Sequence, residues 1–187
     1  MGSNRKRYYI VEGETEETFW RYLIESNYVS PGKVKIFNLM QSSLNTTDTL
    51  FVNRQAEFFG VLDTDVTDQD NLQKLYKNVL SLRSNGTVKL LMQNKNFENE
   101  LCKIFSCQIS QLYEIVGCKA NGIKNLKRHL AKMTPQDYQR KLQDCRNNQK
   151  PDLLKYCNSI HPDVNDYLAS KKLDNIITFG YKIIKIR

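Results

Sequence analysis

Two continuous apolar runs punctuate the first half of the chain, Tyr8-Tyr9-Ile10-Val11 and then residues 58–62, and a largely apolar segment over residues 88–92 predicts a further strand. Runs this short and this uniformly apolar predict strands buried on both faces. Val34-Lys35-Ile36-Phe37 alternates instead and predicts a further strand. Between these runs the period changes. Phe19, Trp20, Leu23 and Ile24 recur at helical spacing, and Glu14, Glu16 and Glu17 crowd the first turn, where the helix dipole favours acids. Residues 68–82 predict a second helix, with Leu72, Leu75, Tyr76 and Val79 on one side. Pro31-Gly32 and Asn85-Gly86 mark turns. A weaker pattern over residues 47–57 predicts another helix.

Strands alternating with helices imply right-handed crossovers and a mainly parallel sheet, an α/β fold. In such sheets the working residues gather beyond the C-terminal ends of the strands. The second half reads as helical: residues 97–105, an amphipathic stretch over 120–133, 135–147, 151–157, and 162–170 after His161-Pro162. The tail, residues 176–186, has strand composition and predicts pairing at a sheet edge. No repeat, low-complexity tract or linker divides the chain. It reads as a single domain over 1–187, with a core over 1–106 and a helical elaboration over 107–187.

Charge sharpens this division. The chain of 187 residues carries a net charge of +8. Residues 1–93 hold 11 basic and 11 acidic side chains, whereas residues 94–187 hold 17 and 9. The excess lies wholly in the second half, as suits a polyanionic partner. Lys124, Lys127, Arg128 and Lys132 form its best single stripe, opposite the apolar Ile123, Leu126, Leu130 and Met133. The absence of a membrane-length apolar stretch or a signal peptide predicts a cytoplasmic protein. The five cysteines are irregularly spaced, and neither they nor His129 and His161 form pairs at zinc-ligand spacing. Reduced thiols are expected.

The candidate chemistry is acidic. Glu12 ends the first strand, and Glu16 follows one turn into the next helix. Asp63 and Asp65 follow the third strand, two apart on extended backbone, so they project alike. If those strands are neighbours, four carboxylates converge. Such a cluster raises its own pKa values, and a hard divalent cation relieves it: Mg²⁺, or Mn²⁺ in its place, as one or two ions. A D-x-D pair or an acidic first helical turn is commonplace alone; their joint placement at one edge of a parallel sheet is the signal.

The segments YYIVEGETEETFWRYL and FFGVLDTDV resemble the Toprim superfamily, which has a glutamate after the first strand and a D-x-D after the third. The E-G-x-T-E form is similar to the RloB-like and OLD-type nucleases, and NKNFENELCKIF resembles their segment after the fourth strand. The resemblance spans residues 6–106. It implies a Toprim fold and a metal-dependent endonuclease acting on DNA or RNA in prokaryotic anti-phage defence. Glu12 would be the catalytic glutamate, as ligand or general base. Glu16 would be a second ligand, with Asp63 and Asp65 holding the second ion. Glu98 would be a further ligand or a group bonded behind the ligands. A late lysine that steadies transition-state charge has two candidates, Lys124 and Lys127. The chain departs from the family at Lys95-Asn96, where a proline is usual, and lacks an apolar run after Phe97.

No P-loop, dinucleotide fingerprint or nucleophile elbow is present. The missing P-loop fits a nuclease working beside an ATPase on another chain. The alternative is a non-catalytic nucleic-acid-binding or regulatory module of the same shape.

Overall fold

The structure is a computed structural model that describes residues 5–44, 55–119, 122–143 and 151–185. Four strands form one all-parallel sheet: β1 (Arg7–Val11), β2 (Lys33–Ile36), β3 (Ala56–Leu62) and β4 (Gly86–Met92), in the order β2-β1-β3-β4. Arg7 pairs with Glu57 and Ile10 with Gly60 across the central β1–β3 ladder. The predicted α/β fold is therefore present.

Helix α1 (Glu14–Glu25) leads from β1 to β2, and α2 (Gln69–Arg83) leads from β3 to β4. Each strand sends alternate residues to opposite faces, which makes two cores. On one face Tyr9, Val11, Phe59, Val61 and Leu91 pack against Phe19, Trp20 and Leu23 of α1. On the other, Tyr8, Ile10, Phe58 and Leu62 pack against Leu72, Leu75 and Val79 of α2. Burial on both faces explains why these strands read as unbroken apolar runs.

The second half supplies α3 (Phe97–Phe105), α4 (Ile109–Val116), α5 (Ile123–Ala131), α6 (Pro135–Gln143) and α7 (Pro162–Ser170). Residues of α3 to α6 extend the core beneath α1, whereas Val164 and Leu168 of α7 join the core beneath α2. No helix among the described residues is long and apolar enough to cross a membrane.

Several predicted boundaries move. The helix predicted over 120–133 occupies Ile123–Ala131, and α4 has no counterpart in the sequence prediction. Residues 151–157 form only a three-residue 3-10 turn, Leu153–Lys155. The tail is not a strand. Ile177 makes one isolated parallel bridge to Leu90, and the chain then turns through a 3-10 segment, Gly180–Lys182. Gly180 presses against the Tyr156 carbonyl, leaving no space for a Cβ, so the backbone bends where an edge strand would continue. The helix predicted over 47–57 falls mostly outside the described residues; its last two positions, Ala56 and Glu57, begin β3.

Candidate active site

Strand order places the site. Successive crossovers leave β1 in opposite directions, so a crevice opens between the C-terminal ends of β1 and β3. Glu12 follows β1 directly and Asp63 follows β3 directly. The Asp63 N–H donates to Glu12 Oε1 at 3.1 Å, which fixes the two acids side by side. The other Glu12 oxygen accepts from Asn38 Nδ2 at 2.7 Å. Asn38 lies beyond β2, where its own Oδ1 caps the N–H groups of Met40 and Gln41. That loop is anchored in turn by Asn78 of α2, which donates to the carbonyls of Leu39 and Ser42.

Glu16 is nearly fully buried. Its Oε2 accepts from the N–H groups of Glu12 and Gly13 at 2.9 and 3.1 Å, the N3 half of a capping box over the glycine N-cap of α1. Its Oε1 accepts from Gln93 Nε2 at 2.7 Å. Both oxygens are thus engaged, and Glu16 shapes the loop that presents Glu12. Gln93 follows β4 and is wholly buried. It also donates to the Tyr156 hydroxyl at 2.9 Å, which accepts as well from Trp20 Nε1 at 3.1 Å. Thr64 ties the loop after β3 to the loop after β4: its hydroxyl donates to the Gln93 carbonyl at 2.7 Å. All four strand ends therefore contribute a polar group, Glu12, Asn38, Asp63 and Gln93.

Asp63 sits where the like charges add. Its buried Oδ1 has no hydrogen-bond partner. Burial, then Glu16, Glu12, Asp65 and Glu98, push its carboxyl up to about 9. Burial is also the main cause at Glu12, raised to about 7, where the Asp63 N–H opposes it and Asp65 adds to it. Burial and the Glu12 charge raise Glu16 to about 8. Asp65 is exposed at the rim.

Glu98, in the first turn of α3, is buried beside this group. Its Oε2 has no hydrogen bond but lies 3.8 Å from Lys127 Nζ of α5. Burial raises the Glu98 carboxyl against the pull of Lys127. Lys127 also stabilises the Glu12 anion. Of the two candidate lysines, Lys127 is thus the one whose charge reaches the acids. Lys124, Arg128 and Lys132 are exposed on the same helical segment.

The structure brings together Glu12, Glu16, Asp63, Asp65 and Glu98 within electrostatic reach of one another. Among the described residues, however, no three acidic, histidine or cysteine side chains stand close enough to form a ready ligand set. The unpartnered Asp63 and Glu98 oxygens and the raised carboxyl values fit a hard divalent cation drawing the acids inward. Sequence reasoning missed Asn38, Thr64 and Gln93. Their only signal was position, each just beyond a predicted strand. No protein-family model, curated protein or solved structure matches the chain.

Proposed function

We propose that this chain is a metal-dependent, Toprim-type nuclease of the RloB-like or OLD-type kind, hydrolysing phosphodiester bonds of DNA or RNA. The observation that carries the reading is the buried, unpartnered Asp63 oxygen amid four further carboxylates at the switch point of a parallel sheet. Glu12, Asp63, Asp65 and Glu98 would hold Mg²⁺ or Mn²⁺, with Glu16 bracing Glu12 from below. Bound there, the cation supplies positive charge that polarises a phosphoryl oxygen and eases deprotonation of the attacking water.

The protein's own groups do the rest. Glu12, fixed by Asp63 and Asn38, is placed to accept a proton from that water. Lys127 is free to turn from Glu98 toward the scissile phosphate and steady its developing charge. Lys124, Arg128 and Lys132 contact neighbouring phosphates and position the backbone without reading its sequence. The setting this implies is cytoplasmic anti-phage defence, beside an ATPase on another chain.

The test is cleavage of plasmid DNA, single-stranded DNA and structured RNA with Mg²⁺ or Mn²⁺. Glu12→Ala and Asp63→Ala are compared with wild type, with folding checked by circular dichroism. Metal-dependent cleavage lost in both variants is expected. Cleavage that persists in both, or that needs no divalent ion, overturns the reading. One observation favours the alternative, a non-catalytic nucleic-acid-binding module: both Glu16 oxygens are already occupied by protein donors. Calorimetry with Mn²⁺ separates the two, because such a module binds nucleic acid without taking up the ion.

A further inference from the structure

The end of α3 carries two thiols that the candidate active site does not use. The helix stops at Ser106, which adopts a left-handed conformation with φ 50°. The Cys107 N–H donates to the Cys102 carbonyl at 2.9 Å, and the Ser106 N–H donates to the Lys103 carbonyl at 3.2 Å. These two bonds define a Schellman motif, and that motif lays the side chain just past the left-handed residue against the one a turn earlier. The usual pair is apolar. Here both positions are cysteine, so the motif sets the two thiols side by side.

Both cysteines are half-buried and line one surface cleft, along with Asn94, Asn99 and Gln111. Cys107 also directly precedes Gln108, the N-cap of α4, where the helix dipole favours a negative sulfur. The neighbouring Cys102 thiol holds Cys107 below its ordinary value against the effect of burial, while the Cys107 thiol and burial push Cys102 up. Its place before the N-terminus of α4 makes Cys107 the sulfur of the pair that ionises first. Cys157, by contrast, is fully buried, and burial raises its thiol.

We propose that Cys102 and Cys107 are a peroxide-reactive thiol pair that closes reversibly to a disulfide across the α3 cap. The Cys107 thiolate attacks one oxygen of hydrogen peroxide. The O–O bond breaks, hydroxide leaves, and Cys107 becomes a sulfenic acid. The Cys102 sulfur then attacks the Cys107 sulfur. An S–S bond forms, the S–O bond breaks, and the hydroxyl departs with the Cys102 proton as water. The proton given up when Cys107 ionised neutralises the hydroxide. The two thiols lose two electrons and the peroxide ends as two waters. A small dithiol reverses the closure by exchange. The bond fastens the last turn of α3, the helix that carries Glu98, to the start of α4.

The experiment exposes the native full-length chain to stoichiometric hydrogen peroxide. Remaining thiols are then alkylated under denaturing conditions and peptides are mapped by mass spectrometry. Expected are a chain lighter by two hydrogens, a Cys102–Cys107 linkage, alkylation of Cys118, Cys145 and Cys157, and full reversal by dithiothreitol. In Cys102→Ser, dimedone labels Cys107; in Cys107→Ser, neither a disulfide nor a Cys102 adduct forms. A linkage through any other cysteine overturns the proposal, as does a pair still fully alkylated after peroxide, or dimedone labelling that follows Cys102. The wild-type mapping stands whether or not either variant folds.

Discussion

Strand β3 carries an acid near each end, and the two are treated oppositely. Glu57, near its N-terminal end, accepts from Arg7 Nε at 2.6 Å and from Lys89 Nζ at 3.3 Å, cations from the two flanking strands. Burial works to raise its carboxyl, but the bonds from Arg7 and Lys89 prevail and hold it below the ordinary value. Asp63, just past the other end, meets four carboxylates and is pushed up to about 9. The sheet thus balances charge internally at one edge and leaves it unbalanced at the other. Buried like charges oppose folding, so this edge carries a cost that the Glu57 edge does not. A cation bound at the unbalanced edge, as proposed above, would offset that surplus.

Removing the surplus should have the largest effect. Asp63→Asn is expected to lower metal-dependent cleavage by more than about 10²-fold, beyond what loss of a supporting group typically costs. It should also raise the metal-free melting temperature, by relieving repulsion. Loss of activity together with loss of stability would mean that Asp63 is structural.

Supporting groups come next. Asn38→Ala frees one Glu12 oxygen, and Lys127→Met leaves Glu98 without its cation. Each is expected to reduce cleavage by about 10–100-fold, with Lys124→Met much milder. Equal losses for the two lysine variants would assign Lys127 to general phosphate attraction.

Proton linkage separates the two edges without mutation. Glu12, Glu16 and Asp63 bind protons more tightly folded than unfolded, so the folded chain holds extra protons above the ordinary carboxylate range. In a chelator, stability is therefore expected to fall as pH rises from about 5 toward the folded values of about 7, 8 and 9. Mg²⁺ or Mn²⁺ should flatten that fall. Glu57 has the opposite sign: its contribution is present above the unfolded value and is lost as pH drops through the lowered folded one. Thermal melts across pH, with and without metal, read both. The smallest effect is expected from Glu57→Gln, about 0.2–1 kcal/mol for a partly exposed pair, with cleavage unchanged.

What the sequence made legible was whatever local periodicity encodes. Unbroken runs such as residues 58–62 had to be doubly buried strands, and the 3.6-residue spacing of Phe19, Trp20 and Leu23 had to be a helix under a sheet. Glu12 and Asp63 followed, because a residue after a parallel strand lies on the working edge. Their adjacency depended on strand order, which no local pattern carries. Glu16 was visible as an acid near the site, but only the structure shows its oxygens bonded to backbone and Gln93. Asn38 and Gln93 were invisible, since a lone amide in a loop acquires meaning from partners 26 and 77 residues away. Lys124 and Lys127 differ by one helical turn, and packing alone decides which faces the acids. The tail misled because strand-forming composition does not ensure an open ladder: Gly180 turns away after a single bridge.

The chain contains one tryptophan, and it is wired to the site. Trp20 donates to the Tyr156 hydroxyl, Tyr156 accepts from Gln93, and Gln93 holds Glu16 beneath Glu12. The indole is wholly shielded from solvent, so its emission is set by these few dipoles. Titrating Mg²⁺ or Mn²⁺ while exciting this chromophore should yield a saturable spectral change, and Gln93→Leu should abolish it. If the carboxylates take up the ion as proposed, the protein carries its own optical gauge of occupancy.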